Sequence, residues 1–238
     1  MTAYSASVSP DTILPLRNKI DRVVQKFQTP DEQAAALEEM RSTHPHSVHL
    51  AKLEAFCGLA DGQTPEYDCF TFALDLIDCP ERIAAREYAP TNIGPAKQPG
   101  IADALPGSSF LQFLLLSEQP SLQSCSDHDL IVYYDKFGNA QHAGKVLAGT
   151  IVSKWGKNGS LWQHDLWEVP SSYGRSARFY SHRPKEWLRK QWLNYLGRLA
   201  QRVSGFRSLV LVMRENKGEN LSAEALLRLA AERTAHCS

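Results

Sequence analysis

Between residues 11 and 28 apolar side chains recur at helical spacing, with Ile13, Leu14, Ile20, Val23, Val24 and Phe27 on one stripe. The next segment, TPDEQAAALEEMRS, sets Thr29 as N-cap, Pro30 at the first helical position and Glu32 three residues after the cap. This capping box predicts a helix start, and the Ala-rich run behind it predicts propagation. HPHSVHLAKLEAFCGL predicts another short helix after Pro45, so the first sixty residues read as helical. DGQTPEY is a loop, and a helix is expected from about Asp68 to Ile77. Residues 89–108 are rich in Pro and Gly and read as irregular, while FLQFLLL at 110–116 fits a helix or a strand.

From residue 129 the period shortens. DLIVYYD, AQHAGKVLAG, TIVSKWG and LWQHDLWEV read as strands, with turns at FGN and KNGS and a further short strand in ARFYSHRP. A two-residue turn at Ala148 and Gly149 sets Gly144 opposite Ser153 and His142 opposite Trp155. A second turn near GKNG sets Trp162 beside Ser153 and His164 beside Ile151. Because side chains alternate, this register places His142, Ser153, Trp155, Trp162 and His164 on one face, and a one-residue slip would reverse it. The tail reads as a helix over 184–204, a strand-like SLVLVMRE, and a helix opened by Ser222. Helices followed by an antiparallel meander predict an α+β fold. The expected division is a helical extension over 1–60, a core over 61–181, and a helix-strand-helix extension over 182–238.

Composition narrows the function classes. The 238 residues carry 26 basic and 26 acidic side chains, so net charge points to no particular partner. The five cysteines, Cys57, Cys69, Cys79, Cys125 and Cys237, form no CxxC pair and no regular framework, which fits a reducing compartment. No stretch resembles a secretory signal or a transmembrane span, so a cytoplasmic protein is expected, or one delivered by a signal-independent route. His44, His46 and His49 cluster in HPHSVH without further ligands, so no metal and no cofactor are expected. The helix over 184–204 carries Lys185, Arg189, Lys190, Arg198 and Arg202, with Arg183 just before it, against Glu186 alone. An anionic partner there is one reading; a solvated basic face is the other.

The candidate chemistry centres on Cys69 in YDCFTFAL. A thiol at the first turn of a helix meets unpaired N–H groups and the positive end of the dipole, which favour a thiolate. Asp68 suits an N-cap and lies beside the candidate site. Cys79, in IDCPER, also precedes a helix start and is the rival nucleophile. Of the eight histidines, His142 in QHAGKVLAG stands out as a base, with Ala143 and Gly144 leaving room for a substrate. Ser153 or His164 is placed to orient it, and Trp155 and Trp162 belong to the core or line a cleft.

A cysteine in "DC" opening a helix, a small-flanked histidine on a strand and a following strand with a polar third member resemble the NlpC-like branch of papain-fold cysteine peptidases. HAGK, SKWG and SYG point to a bacterial offshoot of that branch. The resemblance covers about 61–181, with 78–125 as an insertion. It implies Cys69 as nucleophile, His142 as base, and peptide or amide hydrolysis through an acyl-enzyme on a peptide or protein substrate. Deamidation, acyl transfer and a non-catalytic papain-like binding module are the alternatives. Two positions depart from the pattern. Ser153 stands where the family usually has His, Asn or Gln, and Phe70 and Thr71 replace the small pair after "DC".

Overall fold

The computed structural model describes residues 9–27, 29–43, 51–53, 67–92, 108–115, 126–155, 160–203, 206–216 and 219–236. Cys57, Cys125, Cys237, the histidines of HPHSVH and the GKNG turn lie outside the described residues. The fold is α+β. Its elements in chain order are α1 (Leu14–Lys26), α2 (Pro30–Thr43), β1 (Ala51–Leu53), α3 (Cys69–Ala73), α4 (Pro80–Asn92) and α5 (Ser108–Leu115). There follow β2 (Leu130–Tyr134), β3 (Ala140–Leu147), β4 (Thr150–Lys154), β5 (Leu161–His164), a 3-10 turn (Ser171–Tyr173) and β6 (Ser176–Tyr180). Three helices close the chain: α6 (Lys185–Arg202), α7 (Arg207–Glu215) and α8 (Ala223–His236).

The chain divides into two compact units, residues 1–73 with 117–182, and residues 74–116 with 183–238. Within them, α1, α2 and β1 group with the sheet, and α4 and α5 group with α6, α7 and α8.

The first unit holds an antiparallel sheet in the order β1-β5-β4-β3-β2-β6. Its β3–β4 and β4–β5 registers agree with the sequence reading: Leu147 pairs with Thr150, Ile151 with His164 and Ser153 with Trp162. Ala148 (φ 49°) and Gly149 (φ 75°) turn the chain between β3 and β4, both in the left-handed region that a tight primed turn requires. One face of the sheet carries Ile131, Tyr133, Val146, Ile151, Trp155, Trp162 and Phe179 and packs on Leu16, Ile20, Leu37 and Met40 of α1 and α2. The capping box is present, with the Glu32 N–H donating to Thr29 Oγ1 at 3.3 Å and the Thr29 hydroxyl donating to Glu32 Oε2 at 2.8 Å.

Two element assignments differ from the sequence reading here. Ala51–Leu53, expected as helix, is an edge strand on β5, where pairing with the sheet outweighs local helix propensity. α3 stops at Ala73, well short of Ile77, because Asp75 adopts a left-handed conformation (φ 53°) that an α-helix does not continue through.

The second unit is helical among its described residues. SLVLVMRE forms α7 and not a strand. Leu209, Val210, Val212 and Met213 are buried there while Arg207 and Arg214 face outward, and neighbours α6 and α8 supply the packing that overrides the β preference of its valines. Residues 110–115 of FLQFLLL lie in α5, burying Phe110, Leu111 and Leu114 and exposing Gln112. Phe110 meets Trp192 of α6 edge to face at 5.0 Å.

Candidate active site

Asp68 caps α3. Its Oδ1 accepts the Thr71 N–H at 2.7 Å, as the sequence reading of Asp68 as N-cap anticipates. Phe70 to Ala73 are buried against the sheet. The two aromatic rings bracketing Cys69 fix which face α3 covers. Lys145 of β3 lies over Phe72 at 5.2 Å, and Lys154 of β4 lies over Tyr67 at 5.1 Å. α3 therefore packs on the face that carries Ala143, Lys145, Val152 and Lys154. The Cys69 sulfur reaches the strand itself, meeting the backbone N–H of Ala143 together with those of Phe70 and Cys69. Cys69 is half-buried as a residue; desolvation of its sulfur, reinforced by the Asp68 charge, pushes the thiol up to about 12, and the three N–H groups offset only part of this.

His142 precedes Ala143 and so points to the opposite face. Its ring stacks on Tyr173 with centroids 3.9 Å apart and planes within 15°, and lies 5.7 Å from the Tyr133 ring. Nε2 is buried without a hydrogen-bond partner. Burial, then the nearby His164, holds His142 well below its ordinary value, so the ring is neutral. The expected pairing of His142 with Cys69 is thus not assembled. The two residues are neighbours through the backbone of one strand, with the sheet between their side chains.

Ser153 and His164 share the His142 face, as the register requires. His164 Nδ1 lies 2.8 Å from the Asp165 carbonyl, which only accepts, so Nδ1 carries the proton. Nε2 is then the acceptor for the Ser153 hydroxyl at 2.7 Å, and Ser153 Oγ in turn accepts the Trp155 indole N–H at 3.0 Å. Burial pushes His164 down to about 4, consistent with this neutral tautomer. Ser153 therefore orients His164, and neither residue orients His142. Trp155 and Trp162 stack with centroids 5.4 Å apart inside the core and line no cleft. Gly144 leaves no room for a substrate either: a Cβ there would stand 2.8 Å from the Val152 carbonyl oxygen and 2.9 Å from Ser153 Cβ.

The Ser153 hydroxyl joins two buried groups that have no access to water. Ser153→Ala should lower stability by about 1–3 kcal/mol by leaving His164 Nε2 and the Trp155 N–H unmatched. Urea denaturation measures this, and a loss below about 0.5 kcal/mol would show that the network does not matter.

Cys79 donates to Glu81 Oε2 at 3.2 Å, and Glu81 is held by Arg189 of α6. Burial, then the Glu81 charge, pushes this thiol up to about 12, so the rival nucleophile is also held protonated. The same helix shows where its basic charge goes. Lys185 pairs with Asp78 at 2.6 Å, Arg189 with Glu81, and Arg198 lies over Phe113 at 4.8 Å, leaving less positive field than the sequence suggests.

Sequence reading missed two residues that shape the His142 face. Tyr173 was legible only as part of a turn, although an aromatic before a glycine at a tight bend is a recurrent way of capping a core. Arg17 sits on the buried side of α1 with no exposure, a position at which helical periodicity anticipates an apolar residue. Among the described residues no group of three or more His, Cys, Asp or Glu is placed to hold a metal ion, and no helix is long and apolar enough to cross a membrane. Comparison with protein-family models, with curated proteins and with solved structures finds no match to this chain.

Proposed function

We propose that this chain is a papain-like binding module that holds a peptide or protein partner without turnover. The observation that carries the reading is the separation of Cys69 from both neighbouring imidazoles by the sheet. Thiol attack on an amide needs a base within hydrogen-bond reach of the sulfur and a usable thiolate fraction. Cys69 has neither: its thiol sits at about 12, and His142 and His164 are neutral on the far face. On this reading Cys69 packs α3 onto β3 as a small apolar residue.

A thiol-dependent amide hydrolase with Cys69 as nucleophile is the second reading. It is favoured by the three backbone N–H groups of Cys69, Phe70 and Ala143 around the sulfur, the kind of donor set that would hold a thiolate or an oxyanion.

Brief iodoacetamide labelling of the native protein at pH 7, read by mass spectrometry, separates the two. A thiol pushed up to about 12 carries roughly three-thousandfold less thiolate at pH 7 than an ordinary cysteine near 8.5. Cys69 and Cys79 should stay unmodified while the urea-unfolded chain labels at both. Rapid, selective labelling of Cys69 that His142→Ala abolishes would overturn the binding module in favour of the hydrolase.

A further inference from the structure

The two buried histidines of the sheet face serve no chemistry in the proposed function, and their surroundings are organised to keep them uncharged. His142 and His164 have exposures of 1% and 0%. His164 lies close enough for its charge to be felt at His142. From β2, His142 meets Tyr133, whose hydroxyl is committed to the Leu166 carbonyl. From the 3-10 turn it meets Tyr173. His164 meets Ser153 and Trp155 from β4 and the Asp165 carbonyl from the loop after β5. That loop also carries the buried Glu168, whose Oε2 accepts the Asp165 N–H. α1 brings a further cation, Arg17, bound to the carbonyls of Val169, Pro170 and Gly174, the Asp21 carboxylate, which accepts the Ser171 and Ser172 hydroxyls of the same turn, and apolar Leu16 and Ile20. α2 adds Leu37 and Met40. Among the described residues no carboxylate contributes to the shift of either imidazole.

We propose that His142 and His164 form an acid-sensitive latch: in mild acid their protonation drives the Tyr173 turn off the sheet and exposes the His142 ring to water. Charging both rings puts two like charges in an apolar layer beside a buried guanidinium. The least-cost relief is to let water reach His142, on which the Tyr173 ring stacks from a three-residue turn. The sign follows from linkage. Both groups are lowered in the fold relative to about 6.5 in an unfolded chain, so below that pH the open chain binds more protons. Stability is therefore full above about 6.5 and falls as pH drops. For His164 the fall ends near 4, where the folded ring also charges.

Two measurements test this on the full chain. The first follows urea unfolding between pH 7.5 and 4.5, together with tryptophan emission and dye binding to exposed apolar surface. Each ring should shift the unfolding equilibrium by up to about tenfold per pH unit below 6.5. His142→Phe should remove about half of that slope, and His142→Phe combined with His164→Gln nearly all of it. Unchanged slopes in the variants would overturn the proposal and assign the acid response to carboxylates. The second needs no variant and stands if these fail to fold: NMR titration of the imidazole C–H signals in the native protein. Two rings that stay neutral until the signals of the folded state are lost support the latch. Two rings that titrate reversibly near 6.5 within the intact fold overturn it.

Discussion

Arg17→Met should destabilise the first unit by about 3 kcal/mol or more, among the largest losses expected for any single side chain in this protein. The guanidinium is fully buried and donates to three main-chain carbonyls, from Nε to Val169 at 3.2 Å and from Nη2 to Pro170 at 3.2 Å and Gly174 at 2.5 Å. It also lies 5.4 Å from the Trp167 ring. These carbonyls flank the 3-10 turn and have α1 as their partner, so Arg17 clasps the turn to the helix. Nearby, the Asp21 carboxylate accepts the hydroxyls of Ser171 and Ser172 and adds a second tie. Methionine keeps the stem packing but strips the guanidinium from all three carbonyls; the Pro170 oxygen keeps the Tyr173 N–H at 3.1 Å, so the Val169 and Gly174 oxygens carry the loss. Arg17→Lys should fall between, because one ammonium cannot reproduce the fork that serves carbonyls on both sides of the turn. Urea denaturation of the three proteins gives the order. A loss under 1 kcal/mol for Arg17→Met would mean that water replaces the guanidinium and that the clasp is not structural. The clasp also bears on the latch, since it holds Tyr173 over His142. Loosening it should hydrate that ring and return its titration toward the ordinary range.

How far the sequence specified this structure depends on the kind of signal. The meander was legible because alternation and turn chemistry are local. Ala148 and Gly149 set one register, and the spacing of Ser153, Trp162 and His164 set the next. The helix starts at Thr29 and Asp68 were legible for the same reason, since a cap acts over three residues. What could not be read is what covers each face of the sheet. Register placed His142, Ser153 and His164 together correctly, but nothing in YDCFTFAL says whether α3 lands on that face or on the one carrying Lys145 and Lys154. That choice rests on long-range packing, with α1 and α2 occupying the histidine face. The α7 segment failed for a related reason: valines favour a strand locally, and only the neighbouring helices decide otherwise. Arg17 was hidden because its partners are main-chain carbonyls more than 150 residues away, which leave no trace in side-chain pattern.

Gly174→Ala should cost more than about 3 kcal/mol, and the comparison with a second glycine separates the causes. Gly174 follows the Tyr173 turn at φ 113° and ψ 179°, a region that side chains are barred from at a cost of about 1–3 kcal/mol. A Cβ there would also overlap the Tyr134 carbonyl and stand 3.1 Å from the Asp135 nitrogen. Neither neighbour can move away cheaply. Tyr134 is paired on both sides, to Ala140 of β3 and Ser176 of β6, and its carbonyl accepts the Arg175 N–H at 3.0 Å. Relief would have to come from the turn itself, which would lift Gly174 O from Arg17 and Tyr173 from His142. Gly138 is the control. It also has a positive φ, 84°, but a Cβ there meets nothing within 4 Å, so Gly138→Ala carries backbone strain alone, about 1 kcal/mol. If steric overlap with β2 is what requires glycine, Gly174→Ala loses at least 2 kcal/mol more than Gly138→Ala in urea denaturation. It should also show enhanced hydrogen exchange from Tyr173 through Ser176. Equal losses at the two sites would mean that the close approach to Tyr134 yields readily, and that the turn covering His142 is held by Arg17 alone.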